Sequence, residues 1–466
     1  MQFKHHHLAR LGAACGLLLC CAPLAGAQEK ATAPAGETSG SSSGSFFSPV
    51  IDDAHWNILT RTVYYRRDYL NGAKSNGGRN AYLPRARRSD YAEEWGLGVM
   101  GNLETGYTRG PVGFGVDAFL YGGLNLMGDD YRVGKIRMLP VDKNGYAQDN
   151  LLRGGVALKA KISKTMLRFG EQRIKTPIFS SSDSRLLPES MRGLYLNSKE
   201  FSTLTFHAGH FTGSTDRNSR NTNHALTVNY LNPAFRRGDH FDLAGLTWTG
   251  VPGLSLSAFA GRLADTWVTG YLGAFYSMTL ADKSKLSFDS HLYVSRDTGK
   301  AYAGDIRNTT GSILASYQTG VHKVGLGYQK VASDTPFDYV TRGALWLGNS
   351  SQLTDFNAPH EQSWQLRYEL DGKAFSLPGS SLGVAYIRGS DIDGTRMPRN
   401  SGYRWLGYGK DGKHWERDLW FRYTVQSGAA KGLAMLVRYN VHRANDAQAE
   451  LDTNEIRLAV EYPFGK

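Results

Sequence analysis

The sequence comprises 466 residues with a formal charge of +12, 12% aromatic residues, 54 glycines and a mean hydropathy of −0.39. All three cysteines, Cys15, Cys20 and Cys21, fall within the first 27 residues, which excludes a disulfide framework for the rest of the chain. After those residues no stretch resembles the roughly 20 apolar residues of a membrane-spanning helix, which leaves either a soluble chain or a membrane-spanning β-barrel.

At the N-terminus Lys4 and Arg10 precede an apolar run over residues 11–22 that ends at Ala25-Gly26-Ala27. This pattern predicts a secretory signal peptide, residues 1–27, cleaved before Gln28. Cys20 and Cys21 follow leucines, but Leu19 is not the small residue that lipoprotein processing requires. Removal of the leader lowers the charge to +10, a basic excess suited to lipid headgroups, lipopolysaccharide or acidic solutes. Export argues against nucleic acid as the partner. Residues 28–46, "QEKATAPAGETSGSSSGSF", are small and polar without periodicity and read as a flexible arm. From residue 47 to 466 the texture does not shift again, so this span is read as one domain.

Within that domain short segments alternate apolar and polar residues. Phe114, Val116, Ala118 and Leu120 alternate with Gly115, Asp117 and Phe119. Val156, Leu158 and Ile162 oppose Lys159 and Lys161, and Trp364, Leu366 and Tyr368 oppose Arg367 and Glu369. The same period places Arg422, Arg438 and Arg457 on polar faces near the C-terminus. A soluble sandwich would bury the apolar face, whereas a barrel would turn it to lipid and the charged face to a wet lumen. Two features favour the barrel. The turns at 108–111 and 163–165 are tight while the connections at 171–200 and 388–415 are long, and the polar faces carry more Arg and Lys than a sandwich surface requires.

The connection at 171–200 lacks alternation and contains Pro177 and Pro188. Other motifs fail on context. "GLGVMG" (96–101) matches a dinucleotide-binding spacing but lies in an alternating strand with no helix after it. Its glycines are instead read as relieving crowding in a curved sheet. His207, His210 and His224 lack a ligand spacing, "DIDG" (391–394) has too few oxygen ligands for a calcium loop, and "KHHHL" belongs to the leader. No cofactor or metal is expected.

The segments "GYTRGPVGFGVDAF" (106–119), "SDSRLLP" (182–188), "HFTGSTDRNSRN" (210–221), "HKVGLGYQKVASDTPFDY" (322–339), "SWQLRYEL" (363–370), "WERDLWFRYTVQSG" (415–428) and "EIRLAVEYP" (455–463) together resemble the OprD-type outer-membrane porins. The resemblance implies an all-β fold, a single transmembrane antiparallel β-barrel of about 18 strands. It further implies constriction loops folded into the lumen and passive uptake of small carboxylates, amino acids or organic acids, along a basic ladder. Carried onto this chain, the ladder residues are Arg367, Arg388, Arg422, Arg438 and Arg457, with Lys159 and Lys161 added by alternation. The constriction loop is expected to hold itself inside through Leu186 and Leu187 and to offer Ser182, Asp183, Ser184 and Arg185 to the solute. Asp334 is expected to reach the same eyelet from a later loop. Leu436 and His291 stand where the family pattern would place further arginines. The chain is expected in the outer membrane as a monomer or weak homotrimer, in contact with lipid and lipopolysaccharide. A barrel lipid hydrolase, a plugged structural barrel and a channel for neutral sugars are the competing readings; no Ser/His pair supports the first.

Overall fold

The computed structural model describes residues 46–127, 131–220 and 225–465. The leader, the arm up to residue 45, and His224 lie outside the described residues. Among the described residues eighteen strands run in chain order: β1 (His55–Tyr69), β2 (Tyr91–Glu104), β3 (Gly113–Asn125), β4 (Asn150–Ile162), β5 (Thr165–Gln172), β6 (Ser190–Ser198), β7 (Leu204–Thr215), β8 (Phe241–Val251), β9 (Leu254–Leu263), β10 (Trp267–Thr279), β11 (Lys285–Asp297), β12 (Arg307–Thr319), β13 (His322–Ala332), β14 (Gln362–Asp371), β15 (Ser380–Asp393), β16 (Lys410–Thr424), β17 (Ala434–Ala444) and β18 (Thr453–Gly465).

Each strand pairs antiparallel with its chain neighbours, and β1 closes the ring on β18 from Asn57 opposite Gly465 to Tyr69 opposite Thr453. Closure satisfies every edge, which an open sheet in a bilayer could not do. Short connections such as 163–164, 252–253 and 320–321 gather at one end, here the turn end. The other, the loop end, carries long segments, including 126–149, 173–189, 216–240 and 333–361. The connection expected at 171–200 is shorter than its sequence texture suggested, because Ser190–Ser198 forms β6. Likewise the 388–415 connection contracts to 394–409, since β15 and β16 extend into it.

Leu120, Val156, Leu158, Phe169, Leu272, Leu326 and Leu366 point outward and are exposed. Aromatic residues flank this band: Trp364, Tyr386 and Trp415 pack in series as tilted rings towards the loop end, and Tyr462 meets Phe464 edge-on at 4.7 Å at the turn end. The inner face is not uniformly polar. Val63, Tyr65, Met100, Tyr121, Leu151, Leu186, Leu187, Ala385, Ile387, Trp420, Leu436 and Ala459 belong to one buried apolar cluster inside the ring. Its existence requires loops folded into the lumen, since strand side chains alone do not fill a ring of this size.

Candidate functional site: a constricted lumen with a basic row

The segment 173–189 enters the lumen as a pinched loop. Glu189 N–H donates to the Ser182 carbonyl (2.8 Å), and Ser182 N–H donates to the Glu189 carboxylate (3.2 Å), closing residues 182–189 on themselves. Leu186 and Leu187 are fully buried. They lie over bare backbone: a Cβ on Gly96 would stand 2.7 Å from Leu186 Cδ2, and one on Gly98 would stand 3.1 Å from Leu187 Cδ2. Gly96 and Gly98 of "GLGVMG" therefore make the seat of the loop. Curvature alone, the role expected of them, does not account for this contact.

The polar residues of the loop are held as firmly as the leucines. Arg61 of β1, fully buried, donates to Asp183 Oδ1 (2.6 Å) and to the Arg185 carbonyl (2.9 Å), and pairs with Glu461 of β18. Arg173 adds a second ion pair to Asp183 at 3.0 Å. These guanidiniums pull the Asp183 carboxyl down to about 2, against the opposing effect of its burial. Ser184 Oγ accepts from Arg217 (3.0 Å) and lies 3.0 Å from Ser182 Oγ. Arg185 donates to Tyr65 Oη (3.1 Å) and to the Ile136 carbonyl (3.1 Å), with Cζ 4.9 Å from the Tyr65 ring centre. Arg153 of β4 donates to the Pro188 carbonyl.

A second inward segment clasps the first. Thr341 Oγ1 donates to the Ser180 carbonyl (2.7 Å), and Arg342 N–H donates to Glu189 (2.9 Å). Asp334, from the same long segment, was expected at the eyelet and is elsewhere. It pairs with His360 (2.7 Å) and Arg396 (3.3 Å), because residues 333–335 turn back at the loop end before the chain dips inward.

Four of the seven ladder candidates converge. Arg438 of β17 stands directly across from Arg457 of β18, and both face the lumen. Arg457 Cζ lies 5.1 Å from the Tyr65 ring, the same ring that carries Arg185. In the other direction Trp420 of β16 is cross-strand from Arg438, and Arg367 Cζ of β14 lies 4.7 Å over the Trp420 ring. Guanidinium and aromatic groups thus interleave in a row, Arg367, Trp420, the Arg438 and Arg457 pair, Tyr65, Arg185, in which the aromatic faces offset part of the repulsion between cations. Arg422 faces the lumen one step towards the turn end, across from Leu436. The Nε atoms of Arg438 and Arg457 are buried and have no hydrogen-bond partner among the described residues.

The other three candidates lie off the row. Arg388 is exposed on the outer face of β15, paired across to Trp364 and Trp415 in the aromatic belt, so it is no rung. Lys159 and Lys161 do face inward, but at the turn end of β4. Lys159 is held by Asp117 (2.6 Å) and the Thr105 carbonyl, while Lys161 is exposed with Nζ 5.5 Å from the Tyr107 ring. Leu436 fills its position with apolar packing in the cluster that seats the loop. His291 sits on β11, bonded to Tyr271 Oη (2.8 Å) and close to Asp289. Sequence reasoning missed Arg61, Tyr65, Trp420, Arg153, Arg217 and Arg342. Alternation within β16 placed Trp420 with Arg422, a signal that an inward tryptophan serves the lumen.

A closed antiparallel barrel with an apolar belt outside and a loop-narrowed, charged lumen inside defines a membrane channel of the porin class. The family described as "outer membrane porin, OprD family" matches residues 49–465. Porin D of Pseudomonas aeruginosa is 40% identical over 424 residues, covering 89% of this chain and 91% of that protein. The crystal structure of P. aeruginosa OprD matches with a TM-score of 0.75 at 38% identity, covering 90% of this chain and 97% of that one. P. aeruginosa OpdK, solved with vanillate, matches at 0.77 and 30% identity, and a BenF-like porin from Pseudomonas fluorescens at 0.80 and 29%; each match covers 90% of this chain and 100% of the other. The chain belongs to the OprD family of outer-membrane porins. Members of this family are selective channels for small solutes in the outer membrane, and the hydrolase reading is set aside.

Proposed function

We propose that this channel passes small water-soluble carboxylates, amino acids or organic acids, by handing the carboxylate along the row of guanidiniums beside the constriction loop. The observation that carries the reading is the cross-strand pair Arg438 and Arg457, linked through Tyr65 to Arg185 of the loop. Two adjacent cations with unpartnered Nε atoms favour an anion between or beside them. A charge-assisted hydrogen bond contributes about 1.5–3 kcal/mol, enough to recruit a solute and little enough to release it to the next rung. Asp183, already neutralised by Arg61 and Arg173, shapes the passage more than it repels the solute. Vanillate bound to the relative OpdK, itself a carboxylate, supports the same chemistry. The reading includes export by a cleaved leader at 1–27, an N-terminal arm at 28–46, and an exterior in contact with lipid and lipopolysaccharide. Oligomeric state is proposed as monomer or weak homotrimer.

Planar-bilayer recording of the reconstituted mature chain tests it. Anion preference and concentration-dependent current block by carboxylates are expected, and Arg422→Ala combined with Arg438→Ala should weaken both. Anion preference that survives the double substitution sinks the proposal.

A further inference from the structure

We infer that His414, His442 and Glu450 form a divalent-cation site, of the kind that takes Zn²⁺, under the connection between β17 and β18. His414 projects inward from β16 and His442 from β17, while Glu450 comes from the 445–452 connection above them. The facing atoms, His414 Nδ1, His442 Nε2 and Glu450 Oε2, are separated by 2.9, 3.9 and 3.7 Å. The point equidistant from all three lies about 2.1 Å from each, which matches Zn–N and Zn–O bond lengths of roughly 2.0–2.2 Å. Two imidazoles and a carboxylate are a donor set that suits zinc over calcium or magnesium.

The surroundings are those of an oriented ligand set. His442 Nδ1 lies 2.9 Å from the Leu451 carbonyl, to which it donates, so its Nε2 lone pair is turned to the other two residues. His414 Nε2 lies 2.6 Å from Glu361 Oε1, an acid and imidazole pairing that leaves Nδ1 for the cation. Glu450 Oε2 is buried and has no hydrogen-bond partner among the described residues. A cation arriving at Glu450 takes the place of any proton held there. In the absence of a cation the contact between the imidazoles is a hydrogen bond donated by His414 Nδ1, whose proton the cation also displaces. Both histidines are sealed, at 0% and 2% side-chain exposure, whereas Glu450 is 26% exposed and forms the entrance. None of the three belongs to the arginine row, and a bound ion would tie the last long connection to two barrel strands.

The full mature chain, folded in detergent and stripped with a chelator, is titrated with Zn²⁺ by calorimetry and with Co²⁺ by visible absorption. One Zn²⁺ per chain and the intense d–d bands of four-coordinate Co²⁺ are expected. His442→Ala should abolish binding, and Glu361→Gln, which touches the His414 imidazole and not the ion, should weaken it roughly 10–100-fold. Glu450→Gln sits on a partly exposed connection, keeps the volume and tests the site without disturbing a strand; it should weaken binding at least tenfold. Failure of the folded wild-type chain to bind, or Zn²⁺ affinity unchanged by Glu450→Gln and His442→Ala, overturns the inference.

Discussion

Leu186 and Leu187 hold the constriction loop because Gly96, Gly98 and Gly123 leave no side chains beneath them. Leu186→Ala or Leu187→Ala should each weaken loop docking by about 2–5 kcal/mol, the usual cost of opening a cavity at a buried leucine. The outcome to measure is larger and noisier single-channel conductance, with the heat-modifiable gel shift of an intact barrel retained. Unchanged conductance in the doubly substituted chain would show that the ion pairs of Asp183 alone fix the loop. The leucines were legible as anchors from their place in a non-alternating segment, but their seat was not, because alternation reports which face a residue occupies and not which distant residue meets it. Arg388 shows the complementary failure. Gly383, Ala385 and Ile387 form the inner face of β15 and pack under the inward loops, while the charged residue lies outside. A guanidinium is tolerated there because the aromatic belt lies within reach of headgroups and water. Polarity assigns a face reliably only where neither loops nor the bilayer edge invert the rule.

At the scale of the element, the pinched loop carries its own pH response. Glu189 accepts from Ser182 N–H and Arg342 N–H through one oxygen, while its other oxygen is buried with no partner among the described residues. Burial, reinforced by the nearby Asp216 charge, pushes its carboxyl up to about 7. Between the ordinary value and 7 the docked loop binds more protons than the released one, so docking is strongest at low pH and weakens as pH rises through 7. Asp183 acts in the opposite sense, with its carboxyl held near 2; its contribution is complete above the ordinary carboxylate range and is lost only as pH falls towards 2. Together they define a window, about pH 4–5, in which the constriction is tightest. Open-channel noise should therefore rise between pH 5 and pH 8 in the wild type, by roughly the effect of a 1–3 kcal/mol loss in docking. Glu189→Gln should flatten that rise; a rise of the same size in the variant would assign it to another group. A charge count could not have revealed this behaviour, since the environment that shifts Glu189 is assembled from residues 182, 216 and 342.

Across the whole molecule, the eighteen-strand ring turns one sequence period into two solvents, and the lumen into a graded field. Arg367, Arg438, Arg457 and Arg185 line one wall near the constriction, while Glu361, Glu416, Asp418 and Glu450 lie towards the loop end of the same wall. Glu416 is spent on structure, accepting from the backbone N–H groups of Gln352, Leu353 and Thr354, so this acid anchors an inward segment. A solute at the row is within a few ångströms of several guanidiniums, whereas one in the vestibule feels them only through the field. The Debye length falls from about 10 Å at 0.1 M salt to about 3 Å at 1 M. Anion preference from reversal potentials should therefore be highest at low salt, decline as salt rises, and persist in part at 1 M because contact at the row is not screened. Arg438→Ala should lower it at every salt concentration, removing a rung with neighbours on both sides. Lys161→Ala should leave it nearly unchanged, since Lys161 lies at the turn end, exposed to solvent and away from the row. If Lys161→Ala proves as damaging as Arg438→Ala, selectivity resides in the summed charge of the mouth and the row of guanidinium and aromatic groups has no special part in it.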